Sequence, residues 1–304
     1  MKISTAAFGV IRAYGLETGM EMLANAGFQA VDYPLMLPVT NWADPLFQDI
    51  SSPDFAAHFK NIARTIRSYG LELHQGHTPY TINDFSIYPQ LQKHSIRSIY
   101  AAGYMECPYM VAHPVMMPEF SFGRNKEQAR QTTLDYFSAM VPALKDTGVT
   151  LCIENLCLTD PVTQKEVPNY GTEPEDLCDV IDTLNRMHGS HFAACLDTGH
   201  AVLTGLDPCR LASVLGDRIR VVHIHDNGGI KDDHQIPTRG IIRWREFAAA
   251  LGATGYTGTF NFEASNYFKD FPPDIYSRET FQQACRLLYS VGRSLADIVE
   301  EARR

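Results

Sequence analysis

No run of about 18 apolar residues occurs anywhere in the 304-residue chain, so no segment is built to cross a bilayer as a helix. Glycine-rich phosphate loops are missing too: neither GxGxxG nor GxxxxGKS/T is present, which argues against the commonest open sheets that bind nucleotides. The seven cysteines (Cys107, Cys152, Cys157, Cys178, Cys195, Cys209 and Cys285) are odd in number and never spaced as CxxC. That pattern suits reduced thiols in a cytosol. The amino terminus, MKISTAAFGVIRAYG, has neither a long apolar run nor a small-residue cleavage pattern, so it reads as a first strand. No export signal is evident, and a cytoplasmic protein is expected. No Ser/Pro linker or low-complexity tract divides the chain, and a single domain over residues 1–304 is the economical expectation. A net charge of -9 disfavours a nucleic-acid surface only weakly, because local patches matter more than totals.

What is present is an alternation of short apolar runs with longer amphipathic stretches. The runs at 2–8, 28–33, 71–76, 109–113, 150–155, 192–197, 220–225 and 259–264 read as strands. Between them lie helical periodicities such as GLETGMEMLANAG and YPQLQKHSIRSIYAAG, with Gly27, Gly103 and Gly148 expected as helix stops. Such alternation calls for parallel strands joined by helices. Eight strands suit a (β/α)8 TIM barrel, a fold that typically takes ~250 residues, although alternation alone does not exclude an open doubly wound sheet.

The positions of the ionisable residues favour the barrel, because barrel enzymes build their sites at the carboxyl ends of the strands. Those ends carry His77, His113, Glu154, Asp197 with His200, His223 and Glu263. In RVVHIHDNGGIKDDH, alternation puts His223 and His225 on one face with Val221, and the following loop adds Asp232, Asp233 and His234. Glu154, Asp197 and Glu263 each follow an apolar residue (Ile153, Leu196, Phe262), which aims the acid into the barrel. Unpaired buried anions cost several kcal/mol each, and no basic residue accompanies these acids in their strands, so a cation is the natural partner. Three carboxylates and an imidazole suit Mn²⁺ or Mg²⁺, and Zn²⁺ also binds such a set. Adding His77, His113, His200, Asp232 and His234 gives a nitrogen-richer cluster able to hold two or three Zn²⁺ ions.

Blander roles stand beside these. His225 is expected to support the site from behind, and His58, His74, His94, His188 and His191 to be surface or packing residues. Trp42 and Trp244 either stack on a sugar or anchor the core, and Asp32 either binds a hydroxyl or caps a turn. Cys152 and Cys195 read as small residues filling the barrel.

These residues resemble those of the xylose-isomerase-like barrel superfamily, which joins sugar isomerases and epimerases to endonuclease-IV-type apurinic endonucleases. Similarity to the ketose 3-epimerases implies Glu154, Asp197, His223 and Glu263 as metal ligands. His223 is preferred to His225 because the family places its ligand histidine three residues before an acid, here Asp226. The same resemblance implies Glu154 and Glu263 as acid and base, working through an enediolate that a chelated metal stabilises. It also implies substrate contacts from His200 and Asp160, with Arg239 replacing a family arginine whose place falls on Gly229, while His113, by its strand-end position, either ligates or contacts substrate. Trp244 is a further candidate for the sugar pocket. The expected activity is thus a divalent-metal-dependent sugar isomerase or epimerase acting on a small sugar, or a dehydratase or lyase beginning with the same proton abstraction. His77, His113, Glu154, Asp197, His200, His223, Asp232, His234 and Glu263 also match the trinuclear zinc pattern of the endonucleases in order, which keeps a zinc phosphodiesterase as the alternative. No membrane partner is expected, a nucleic-acid partner is disfavoured by the lack of basic loops, and a homo-oligomer is left open.

Overall fold

A computed structural model describes residues 1–35, 44, 46, 49–80, 85–116, 125–160 and 162–304. Trp42 lies outside the described residues. Eight parallel strands form one sheet: β1 (Ile3–Ala6), β2 (Ala30–Tyr33), β3 (Glu72–His77), β4 (Tyr109–Ala112), β5 (Thr150–Glu154), β8 (Phe192–Asp197), β9 (Ile219–His223) and β10 (Phe260–Phe262). Their order is β10-β1-β2-β3-β4-β5-β8-β9. The remaining gap is stitched by Ile224, which bridges Phe262: Ile224 N donates to Asn261 O at 2.9 Å, and Glu263 N donates to Ile224 O at 3.1 Å. The sheet therefore closes as a TIM barrel rather than lying open, and its seam brings the residues flanking Ile224 beside Glu263. Among the described residues no helix is long and apolar enough to cross a membrane.

Strand alternation divides the side chains as the sequence implies. Ile153, Leu196, Val222 and Phe262 face outward into the main apolar core shared with the helices. Val111, Cys152, Ala193, Cys195 and Val221 form a separate cluster inside the barrel. The two cysteines are thus barrel-filling residues, and the acids stand directly above them. Helix 278–302 illustrates the outer layer: Phe281, Cys285, Leu288, Gly292, Ala296 and Val299 recur at helical spacing and are buried, and the Ser277 hydroxyl caps the start by accepting from Thr280 N at 3.2 Å.

Three expectations need correction. The first strand ends at Ala6, and Phe8 already begins helix 8–14. Gly103 does not stop a helix: helix 88–105 runs through it, and the left-handed cap is Glu106. A Cβ at Gly103 would fall 2.7 Å from Thr147 Cγ2, so the glycine permits close helix packing instead. An antiparallel hairpin, β6 (Cys157–Thr159) and β7 (Glu166–Pro168), follows β5 and was not foreseen.

Phe262 is fully buried at the barrel's seam, 5.6 Å from the Phe260 ring. Phe262→Ala should lower the unfolding free energy by about 3–5 kcal/mol, read by denaturant titration. A loss below about 1 kcal/mol would show that the seam tolerates the cavity.

Candidate metal centre

The strand ends are held by side chains that follow the acids in sequence. Asn155 clasps β5 to β8: its carbonyl oxygen accepts from Asp197 N at 2.8 Å, and its amide donates to Asp197 O at 2.9 Å. Asp197 Oδ1 accepts from His200 N at 2.6 Å, an N-cap that turns His200 back over the site. Thr198 accepts from His225 N at 3.1 Å and donates to His225 O at 2.8 Å, fixing the chain just beyond β9. A Cβ at Gly199 would lie 1.9 Å from His225 Cε1, so only glycine lets that ring pack against the turn.

Four ligand atoms, one each from Glu154, Asp197, His223 and Glu263, lie within 4.8 Å of one another. His223 Nδ1 is 3.0 Å from Glu154 Oε1, 3.0 Å from Glu263 Oε2 and 3.9 Å from Asp197 Oδ2. Ligand atoms around one four-coordinate ion stand roughly 3–4 Å apart, so the spacing fits a cation. Chemistry points the same way: Nδ1 can donate to only one oxygen, and the carboxylates crowding it need further positive charge. His223 Nε2 looks toward Asp32 Oδ2 at 3.5 Å, and Asp32 is itself held by Gln75 Nε2 at 3.0 Å.

Two further groups adjoin this one. On one side His77 Nε2 and His113 Nε2 approach Glu154 Oε2 at 3.4 and 3.2 Å. On the other, His200, His225, Asp232 and His234 offer ligand atoms within 4.8 Å of one another. There His234 Nε2 is 2.7 Å from Asp232 Oδ2, and the His225 and His234 rings stack with centroids 4.1 Å apart. Among the described residues His225 Nδ1 and Asp232 Oδ1 are buried atoms with no hydrogen-bond partner, and they face each other at 3.9 Å. Two orphaned polar atoms aimed into one space are what a cation would satisfy. Asp197 joins this group to the first, its two oxygens 3.1 and 3.0 Å from His225 Nε2.

Burial works against charge at Glu154, His200, His223, His234 and Glu263, yet there the acid–imidazole contacts prevail. Burial would raise the Glu154 and Glu263 pKa values, but the neighbouring imidazoles hold both well below the usual carboxylate range. His200 and His223 are raised despite burial, by Asp197 and Glu154 around His200 and by Glu263, Glu154 and Asp32 around His223. Burial would likewise depress His234, but its hydrogen bond to Asp232 and the nearby charge of Glu263 lift it to about 9. His113 is the exception, lowered chiefly by burial. Burial pushes the Cys195 thiol far up, so that sulfur, although near Glu154 and His223, stays protonated.

The structure brings together Glu154, Asp197, His223, Glu263, His77, His113, His200, Asp232 and His234. It does not bring in three other expected site residues. Trp244 is buried: its Nε1 donates to Asp226 Oδ2 at 2.8 Å and its ring packs on Phe247, so it anchors the core instead of lining a sugar pocket. Asp160 caps the turn after β6, accepting from Val162 N and Thr163 N at 2.9 and 2.7 Å. Arg239 is committed to Asp270 at 2.7 Å and lies over the Tyr267 ring. Conversely, Tyr80 had not been singled out, although its ring stands 5.0 Å from His77 and 5.1 Å from His113. Its place three residues after a strand-end histidine was the available signal. His225, expected behind the site, offers a ligand atom of its own.

Metal binding must displace protons from imidazoles that are raised in the folded state. His234, at about 9 against an ordinary 6.5, stabilises the metal-free fold fully below 6.5 and ceases to do so as pH rises through about 9. Chelator-stripped protein should therefore lose stability between pH 6.5 and 9.5, while affinity for Zn²⁺ rises over the same window with proton release. Unfolding titrations and calorimetry in buffers of different ionisation enthalpy check both. Binding without proton release would contradict this charge balance.

Comparison with known proteins agrees with the architecture. The model of the xylose isomerase-like TIM barrel family matches residues 20–291. Uncharacterized protein y4fM of Sinorhizobium fredii is 35% identical over 124 residues, covering 39% of this chain and only 36% of that relative. Probable endonuclease 4 of Thermoplasma acidophilum is 26% identical over 247 residues, covering 76% of this chain and 78% of that protein. Among solved structures, a D-tagatose 3-epimerase-like protein superposes with a TM-score of 0.66 at 19% identity, covering 95% of this chain and 99% of the other. IOLI protein with a binding zinc atom gives 0.69 at 15% identity, covering 99% of each chain. With eight strands closed into one barrel and a family match spanning most of its length, the chain belongs to the xylose isomerase-like TIM barrel family.

Proposed function

We propose that this protein is a divalent-metal-dependent isomerase or epimerase that moves a proton on a carbon next to the carbonyl of a ketose or keto-sugar. One observation carries the proposal: Glu154, at the end of β5, and Glu263, just after β10, both stand 3.0 Å from the same imidazole nitrogen, His223 Nδ1. Two carboxylates thereby face one cation position and flank whatever chelates there. A bound Mn²⁺ or Mg²⁺, or Zn²⁺, supplies Lewis acidity that lowers the barrier to losing a proton beside a carbonyl. Glu263, the more accessible of the pair at 8% exposure, takes the proton from carbon. Glu154 is fully buried among His77, His113, His200 and His223, so it exchanges a proton with substrate only through one of those imidazoles. His200 and Tyr80 stand where a sugar hydroxyl would enter.

The group of His200, His225, Asp232 and His234 is a second cation pocket in this proposal, richer in nitrogen than the first and better suited to Zn²⁺. Its presence, with the third group at His77 and His113, favours a second reading: a zinc phosphodiesterase acting at abasic sites in DNA, as the name of the Thermoplasma relative suggests. Charge argues for the sugar instead. Phosphate backbones are held by rows of Lys and Arg, whereas the loop after β9 carries Asp232 and Asp233, and Arg239 is already paired with Asp270.

Mn²⁺-loaded protein incubated in D₂O with a panel of ketoses and keto-inositols should incorporate deuterium beside a carbonyl. Glu263→Gln should slow that exchange by roughly 10²- to 10⁴-fold with the fold intact. Cleavage of an abasic-site duplex by protein holding three zinc ions per chain, with no exchange on any sugar, would replace the first reading by the second.

A further inference from the structure

Asp226 has no exposure to solvent and, among the described residues, no ion-pair partner, yet both oxygens of its carboxylate accept hydrogen bonds. Oδ1 accepts from Asn227 N at 3.0 Å and Ile242 N at 3.3 Å, while Oδ2 accepts from Thr238 N at 3.0 Å and Trp244 Nε1 at 2.8 Å. Its backbone also pairs in both directions with Gln235, at 2.8 and 3.0 Å. A single buried side chain thus gathers both ends and the middle of the 227–244 segment. Within that segment lie Asp232 and His234, half of the second cation pocket.

The latch also holds backbone that would otherwise relax. Thr238 has φ 82 and His234 has φ 43, left-handed conformations that are unfavourable for a β-branched residue and uncommon for an imidazole. The Thr238 amide is one of the four donors to Asp226. At Gly240 a Cβ would fall 2.2 Å from Asp226 Oδ1, so the chain is drawn against the carboxylate as closely as glycine allows. Farther round, His234 Nδ1 meets Glu263 O at 2.9 Å and Asn266 Nδ2 donates to Asp233 O at 2.9 Å. The arm is therefore pinned at its base by Asp226 and at its tip by the chain after β10.

We propose that Asp226 is a positioning residue for the second cation pocket: by latching the 227–244 arm it holds Asp232 and His234 against His200 and His225, and it sets second-ion occupancy without touching the ion. This assignment rests on the second pocket proposed above. Asp226→Asn keeps the shape but replaces one acceptor with an amide that opposes the N–H donors, freeing the arm.

The test uses full-length protein loaded with Zn²⁺. In Asp226→Asn the second ion should bind roughly 10- to 100-fold more weakly while the first keeps its affinity, read by elemental analysis and chelator competition. Tryptic cleavage after Lys231, an exposed residue on the arm, should accelerate as the arm is freed. Trp244→Phe, which removes one donor and keeps an aromatic ring, should give the same split at smaller size, so the prediction survives if Asp226→Asn does not fold. Variants with wild-type loading and cleavage would overturn the latch. Wild type holding one ion would overturn the second pocket and with it the role in ion occupancy, and the cleavage rate would still decide whether Asp226 restrains the arm.

Discussion

Carboxylates gathered against histidines, four of the five deeply buried, are the constraint on which the rest of this molecule depends. Asp32, Glu154, Asp197, Asp232 and Glu263 share one end of the barrel, and among the described residues every ion-pair partner they have is an imidazole. A lysine or arginine would fix the charge permanently. An imidazole gives up its proton near neutrality, so the cluster can exchange protons for metal ions at little electrostatic penalty. The barrel below must then be small and dry, and Cys152, Cys195, Ala193 and Val221 make it so.

Strand ends alone would not hold such a cluster in place. The acids of β5 and β8 are tied together by Asn155, the β8 acid orients His200 through a helix cap, and Thr198 with Gly199 seats His225. Each of these residues follows a candidate ligand by one to three positions. The short motifs IEN and DTGH are therefore mechanical units: the acid supplies the charge, and the residues after it set where the next ligand points.

This local logic explains what could be read from the chain and what could not. Strand alternation and the residues at strand ends sufficed to locate the eight staves and the strand-end acids and histidines, because both depend on neighbours in sequence, whereas Asp232 and His234 came from the loop after β9 and from the family resemblance. Trp244 stayed open between a sugar pocket and the core because its partner, Asp226, lies 18 positions away and the indole's destination depends on how the intervening arm folds. For Asp160 the expected substrate contact came from the family resemblance, whereas its carboxylate accepts from Val162 N and Thr163 N in the turn after β6; the β6 and β7 strands, three residues each, are too short to show a periodicity. Barrel closure was likewise undecidable from alternation, since it rests on the pairing of Ile224 with Phe262, at a sequence separation no periodicity reports.

The shared carboxylates also bear on how several cations could coexist here. Two divalent ions a few ångströms apart repel strongly in a low dielectric, and the repulsion is bearable only if negative charge lies between them. Glu154 lies between the His77–His113 group and the His223 group, and Asp197 lies between the latter and His225. The same placement limits proton chemistry, because an acid ringed by imidazoles is a poor direct partner for a substrate carbon. Among the described residues Glu263 has two imidazoles as ion-pair partners, His223 at 3.0 Å and His234 at 3.9 Å, and it keeps 8% of its surface exposed. The two glutamates of the proposed acid–base pair are consequently unequal: Glu154 is fully buried among four imidazoles, whereas Glu263 is the more accessible.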